Sequence, residues 1–465
     1  MARKTILSYL MMALLGSLGW IGCEQASGTA GESWEEKADY ATRVGDAKLY
    51  HTAMQKLSDI VVYDIFSPPV ASRVYAYPNI AAYEVMAQGN PAFQSLSGQL
   101  RDLDSPPAPP ADQEISFPIA SQEAMFVVAR ALIFSLDTFD VFTAKRQKMY
   151  REMGVPKATY EASIAYGQAI AQHILNWSKG DNYAQTRTMS RYEVRDDVAG
   201  RWTPTPPKFM ESIEPHWNKI RPFIIDSATQ FVPLRPTAYN MSKGSQFFRE
   251  VMEVYEVGNN LTDEQAEIAR FWDCNPYAVK QEGHAMYAVK KITPGGHWIG
   301  ITKIVTQMNE DDWMHTVEAY TRVSIALADA FISCWDEKYR SNLIRPETVI
   351  NEQIDDTWMP LLQTPPFPEY TSGHSVISTA AAMTLTDLYG DNFAFNDTTE
   401  LAYGLPARAY TSFMNASKEA AISRLYGGIH YMPAIENGVA QGEKVGAYVV
   451  EHLQTRVGEE DMSMN

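Results

Sequence analysis

The chain has 465 residues, 45% of them hydrophobic and 20% charged, and a formal net charge of −17 at pH 7. That is an ordinary globular composition, long enough for two domains or one large helical unit with a full core. The acidic balance excludes nucleic acid and an anionic membrane surface as partners.

At the N-terminus, Arg3-Lys4, an apolar stretch from Thr5 to Ile21 and then Gly22-Cys23 read as an export signal. A small residue before Cys resembles a bacterial lipoprotein site, which would leave Cys23 lipidated. Trp20 stands where Leu is usual, so ordinary secretion is the alternative. The reading is a signal over 1–23 and a Gly/Ser/Ala/Glu-rich tether over 24–38. The product is exported, either periplasmic, anchored at the outer membrane or secreted. No later apolar run approaches the roughly 20 residues that span a bilayer, so a lipid on Cys23 is the one membrane contact expected.

Helical periodicity dominates the rest of the chain. It marks 49–66, 80–87, 121–136, 159–177, 262–272, 313–335, 374–389 and 438–453, while no stretch alternates over several strands. The fold class is therefore all-α. Pro/Ser-rich breaks stand at 105–110 and 203–207, the second opening a long irregular connection to about Gln246. Two helical bundles, over 39–260 and 261–458, are the economical layout, followed by an acidic tail over 459–465. Beyond Cys23, Cys274 and Cys334 could pair or stay buried thiols. The three cysteines form no zinc-type cluster, and the nine histidines include no His-Glu-x-x-His.

Three short segments in the last third carry the chemistry. They are Lys338-Tyr-Arg-Ser-Asn-Leu-Ile-Arg345-Pro346, Tyr370-Thr-Ser372-Gly373-His374, and Ser423-Arg424-Leu-Tyr-Gly-Gly-Ile-His430-Tyr431. Lys338 and Arg345 are seven residues apart, a spacing that lets both share one helical face. Pro346 disfavours helix at Arg345, so that arginine is expected at a helix end. Ser372-Gly373 opens an apolar run of helical spacing, whose first amides suit an anion. Gly427-Gly428 breaks the helix of Arg424 and presents His430 from a turn. Together these groups can cage a tetrahedral oxyanion, with cations on its oxygens and one imidazole at each end. A chance run of helix-end charges is the bland alternative, and seven positions in order weigh heavily against it.

The pattern Lys-x6-Arg-Pro, Ser-Gly-His, Ser-Arg-x5-His resembles the vanadium-dependent haloperoxidases. Their relatives, the type 2 phosphatidic acid phosphatases and bacterial class A acid phosphatases, share it. The match covers 335–431 and implies a two-bundle helical fold with vanadate as cofactor. His430 would be the axial vanadium ligand, with Lys338, Arg345, Ser372, Gly373 and Arg424 on the equatorial oxygens. His374 would move protons, and Lys338 would polarise a peroxovanadate. The substrates implied are hydrogen peroxide and a halide, released as hypohalous acid. Iodide, the easiest halide to oxidise, is expected first, with bromide next. Trp335 and Phe367 match aromatic positions of haloperoxidase pockets. The segments Phe271–Tyr277 and Pro294–Trp298 resemble those of marine bacterial iodide-oxidising enzymes, so Tyr277 joins the halide pocket, with His297 behind it.

The sequence departs from the family twice. Thr371 stands where Pro is usual, and Ala434 where an Asp usually orients the imidazole of His430; Glu436 or a backbone carbonyl is the expected substitute. Two other readings use the same cage. In an exported acid phosphatase His430 attacks phosphorus and His374 protonates the leaving alcohol. In a non-catalytic oxyanion-binding lipoprotein neither imidazole turns over.

Overall fold

A helix buried along nearly its whole length must be packed on every side by other elements, and two helices here are. In the computed structural model, which describes residues 34–282 and 284–458, helix Pro68–Gln88 is buried from Pro68 through Ala87. The hydroxyl of Ser67 accepts from Val70 N at its start, and Pro68 and Pro69 fill the turn whose N–H groups have no helical partner. Helix Trp313–Ser341, buried from Thr316 through Lys338, is capped by Asp312, which accepts from His315 N at 2.9 Å. The two pack along each other. Phe117–Arg130 and Lys157–Ser178 cover the first, and Gly373–Tyr389 and Met432–His452 cover the second. One buried hydrophobic cluster runs through all of them, from Tyr50 to Leu453.

The expected signal, Cys23, the tether up to residue 33 and the acidic tail lie outside the described residues. Among the described residues no helix is long and apolar enough to cross a membrane. The all-α expectation holds for the scaffold. Two antiparallel hairpins, Val279–Glu282 with Ala285–Ala288 and Phe395–Asp397 with Arg408–Tyr410, add to it. Their strands of three and four residues are too short to show alternation in sequence.

Two local devices fix the part of the fold that matters for the site. Gly438, Gly442 and Gly446 recur one turn apart and face the helix that begins at Gly373; a Cβ at Gly442 would collide with the carbonyl of Val376, and one at Gly438 would lie 3.1 Å from that of Ser372. Bare backbone here lets the last helix seat the Ser372 loop. Second, the buried Asp329 accepts from the amides of Phe223 (2.7 Å), Ile224 (2.7 Å) and Ile225 (3.0 Å), tying the irregular 187–245 stretch to the central helix. Asp329→Ala strands three buried donors. It is expected to destabilise the protein by about 4 kcal/mol, at 1–3 kcal/mol per orphaned group, read from the urea midpoint.

Candidate active site

The second and third sequence segments line one cavity through Gly373, His374, Arg424 and His430, beside Trp335, Phe367 and Tyr277, while Lys338, Arg345 and Ser372 stand just behind that lining, Arg345 against His430 and Lys338 near Gly373. Each segment arrives by a helix end. Helix Trp313–Ser341 stops at Asn342, in the left-handed conformation with φ 50°, so Lys338 lies in its last turn. Arg345 does not share that helix, contrary to the seven-residue expectation. It is extended (φ −79°, ψ 151°) and immediately precedes a new helix, Pro346–Gln353. Pro346 both excludes helix at Arg345 and starts the next one.

Ser372 caps helix Gly373–Tyr389 by accepting from Ser375 N, which leaves its O–H to donate elsewhere. A Cβ at Gly373 would lie 3.7 Å from Trp335 and 4.0 Å from Lys338 Cε, taking up cavity space. Arg424 ends helix Phe413–Tyr426, held by Trp272 O (2.7 Å) and Ser423 Oγ (3.0 Å). Gly428, at φ +75°, then turns the chain so that His430 faces the cavity.

The charges are desolvated. Burial lowers Lys338 to about 8 and both Arg345 and Arg424 to about 10. Lys338 Nζ donates to the carbonyls of Pro368 (3.1 Å), Glu369 (3.1 Å) and Thr371 (2.5 Å). All three ammonium protons are thus engaged, so Lys338 acts on the cavity by its charge more than by a free donor. The guanidinium of Arg345 donates from Nε to Phe367 O (2.9 Å) and from Nη1 to Ile429 O (2.8 Å), with His430 Nε2 at 3.1 Å. Its Nη2 is buried with no hydrogen-bond partner, as is Nε2 of His374. Both imidazoles are held well below their ordinary pKa, by burial first and by the neighbouring cations second.

The partner of His430 differs from expectation. Glu369 Oε1 lies 2.7 Å from His430 Nδ1 and accepts from Tyr431 N at 3.0 Å. Glu436 is exposed, and Ala434 packs its methyl in an apolar cluster while its carbonyl accepts from Ser372 N. The acid that the family places four residues after the histidine here comes from another segment, 61 residues earlier. With the Nδ1 proton given to Glu369, Nε2 is the unprotonated nitrogen, and its lone pair takes Arg345 Nη1 at 3.1 Å beside the cavity.

Trp335 and Phe367 stand 5.0 Å apart, centroid to centroid. Lys338 Nζ and Arg345 Cζ each lie 5.0 Å from the Phe367 ring, so two cations share the field of its π system. Asp273 to Tyr277 also line the cavity, with Pro68, Pro294, Phe331 and Pro365 completing an apolar wall. His297 lies behind it, stacked on Trp272 at 4.4 Å. Cys274 and Cys334 are both buried and unpaired.

Among solved structures the chain is similar to the first bacterial vanadium-dependent iodoperoxidase, at 50% identity over 89% of this chain and 98% of that one, with a TM-score of 0.85. The chain belongs to the vanadium-dependent haloperoxidases. The family model for the second helical-bundle domain of VCPO matches residues 318–459 of this haloperoxidase. Two bacterial vanadium-dependent chloroperoxidases share its fold. The apo type is 15% identical over 83% of this chain and 94% of that one (TM-score 0.61), and the holo type 14% identical over 91% and 98% (TM-score 0.64). No curated protein matches the chain.

Vanadate is the cofactor of this family, and the donors present suit it. Three buried cations, Lys338, Arg345 and Arg424, stand at this site, and the partnerless Arg345 Nη2 and His374 Nε2 both belong to it. Such a site favours an anion with several acceptor oxygens.

Proposed function

We propose that this haloperoxidase oxidises iodide in preference to bromide, with hydrogen peroxide as oxidant and hypohalous acid as product. The observation that carries the halide choice is the 50% identity to an iodoperoxidase over nearly the whole chain. When bound, vanadate supplies the electrophilic centre that activates hydrogen peroxide toward a halide.

The chain's own residues do the rest. His430 Nε2 would hold vanadium, the imidazole oriented by Glu369 through Nδ1. Arg345 Nη2, Arg424, Ser372 O–H and the Gly373 amide would hold its oxygens, with Lys338 adding its charge. His374 takes and returns protons at Nε2; its depressed pKa keeps it a base at neutral pH. Trp335, Phe367 and Tyr277 form a wall of low polarity, suited to a large, weakly hydrated anion.

The test is steady-state halide oxidation by protein stripped of metal and reloaded with orthovanadate. A kcat/KM for iodide at least about tenfold above that for bromide, a difference of 1.4 kcal/mol in barrier, is expected. Equal or reversed values would sink the halide assignment. Arg345→Lys, which loses the planar fork that reaches Phe367 O, Ile429 O and the cluster from three separate nitrogens, is expected to weaken vanadate affinity by about tenfold or more in the same assay.

The protein is also exported and lipid-anchored through Cys23 in this reading, supported by Arg3-Lys4, the apolar run and Gly22-Cys23. Cys23→Ala is expected to move the protein from the membrane fraction to the soluble one. Unchanged membrane retention would count against the anchor.

A further inference from the structure

Behind the wall that carries Tyr277, a second set of ligating side chains is buried. Cys274 Sγ lies 3.4 Å from His297 Nδ1, and Glu400 Oε1 lies 3.5 Å from the same nitrogen. The three ligand atoms all fall within 4.8 Å of one another, and none of the residues is more than 3% exposed. They come from three places in the chain: the 271–277 loop, the first turn of helix Pro294–Met308, and the short turn Thr399–Tyr403.

The far side of the imidazole fixes its tautomer. Asp397 Oδ2 and Thr399 Oγ1 both lie 2.7 Å from His297 Nε2. Asp397 is itself held, accepting from Thr399 N (2.9 Å) and Thr399 Oγ1 (2.6 Å). Against burial, Asp397 and Cys274 raise His297 well above its ordinary pKa; Asp397 keeps the Nε2 proton, and Nδ1, between sulfur and carboxylate, is the nitrogen that would give up its proton to a cation. That is how metal-ligating histidines are arranged. Trp272, stacked at 18°, holds the ring plane.

The spacings also fit. Zinc bonds of about 2.3 Å to sulfur and about 2.0–2.1 Å to nitrogen and oxygen, in a tetrahedron, set S···N near about 3.6 Å and N···O near about 3.3 Å. The observed 3.4 and 3.5 Å lie within a small adjustment of both. Burial raises the thiol of Cys274 and lifts Glu400 to about 7, so a cation would displace protons from groups that hold them.

We infer that Cys274, His297 and Glu400 form a second metal site, apart from the vanadate cradle, which takes Zn²⁺ through thiolate, imidazole and carboxylate. The mixed S/N/O set selects a borderline ion over Mg²⁺ or Ca²⁺. Its role is to pin the 271–277 loop, whose Trp272 carbonyl holds Arg424 and whose Cys274 to Tyr277 line the cavity. Spacing in sequence concealed it, because the ligands are 23 and 103 residues apart and come one from each place.

The test uses the full mature chain, produced with Zn²⁺ in the medium and measured by elemental analysis. About one zinc per chain is expected, falling to background in Cys274→Ser and in Glu400→Gln. Because variants in a core can fail to fold, the wild-type chain is also stripped and given Co²⁺, which should produce a thiolate-to-cobalt charge-transfer band. A wild-type chain that takes up neither Zn²⁺ nor Co²⁺ overturns the site and leaves a protonated His297 paired with its acids. Zinc retained in full by folded Cys274→Ser overturns it as well. Neither readout depends on halide turnover, so failure here leaves the proposed activity untouched.

Discussion

His430→Ala is expected to abolish vanadate-dependent halide oxidation, with a loss of about 10³-fold or more. The argument is geometric. Within the cavity, His430 Nε2 is the nitrogen left unprotonated by an acid on the opposite side of the ring, Glu369 at 2.7 Å, and Arg345 Nη1 is the neighbour to displace. Alanine would remove the proposed ligand and leave the cations, Ser372 and Gly373 to hold the anion by its oxygens alone. Vanadate retention, followed by equilibrium dialysis, should fall together with activity. His374→Ala should behave differently: vanadate stays bound and the rate drops by about 10²–10⁴-fold, the usual worth of a positioned acid–base group. A His430→Ala protein that keeps its vanadate and its rate would take the ligand role from this residue.

The second large effect is expected at Glu369. Glu369→Gln keeps the shape but drops the charge that holds the Nδ1 proton, and should cost about 10–100-fold in vanadate affinity, as outer partners of metal ligands typically do. A pH signature accompanies it. Burial raises Glu369 to about 7, against the pull of Arg345 and Lys338, and burial lowers Lys338 to about 8. Glu369 is ionised above its value and Lys338 protonated below its own. The stripped protein should therefore take up vanadate best between about pH 7 and pH 8. Affinity falls on the acid side as Glu369 gains a proton, and on the alkaline side as Lys338 loses one. Glu369→Gln should remove the acid limb and keep the alkaline one. An unchanged acid limb in that variant would show that another group sets it.

Several helices are readable from periodicity because their faces differ, as in Lys157–Ser178 and Trp313–Ser341. Others are not. The first turns of Pro68–Gln88 begin with two prolines, and Leu136–Glu152 is mostly polar, so neither shows an apolar stripe at its start. Helix Met432–His452 begins well before its periodic stretch at Gly438, because its opening residues serve the His430 turn and the Ala434–Ser372 contact.

The cage itself is legible because its members sit in short runs with fixed local geometry. A proline starts a helix after Arg345, a Ser-Gly opens one at His374, and two glycines end one after Arg424. Such signals act over a few residues and survive any tertiary arrangement. The partners of those residues act through space. Glu369 reaches His430 across 61 residues, and Cys274, His297 and Glu400 meet from three separate elements. Lys338 has its donors filled by carbonyls of a loop 30 residues on. Residue types and spacing in one dimension specify which helix ends can bind an anion. Which acid orients the imidazole, and which buried groups stand together behind the wall, depend on how the helices pack. A buried charge or donor is costly to leave unpaired, so it is satisfied by whichever group the fold brings within about 3 Å.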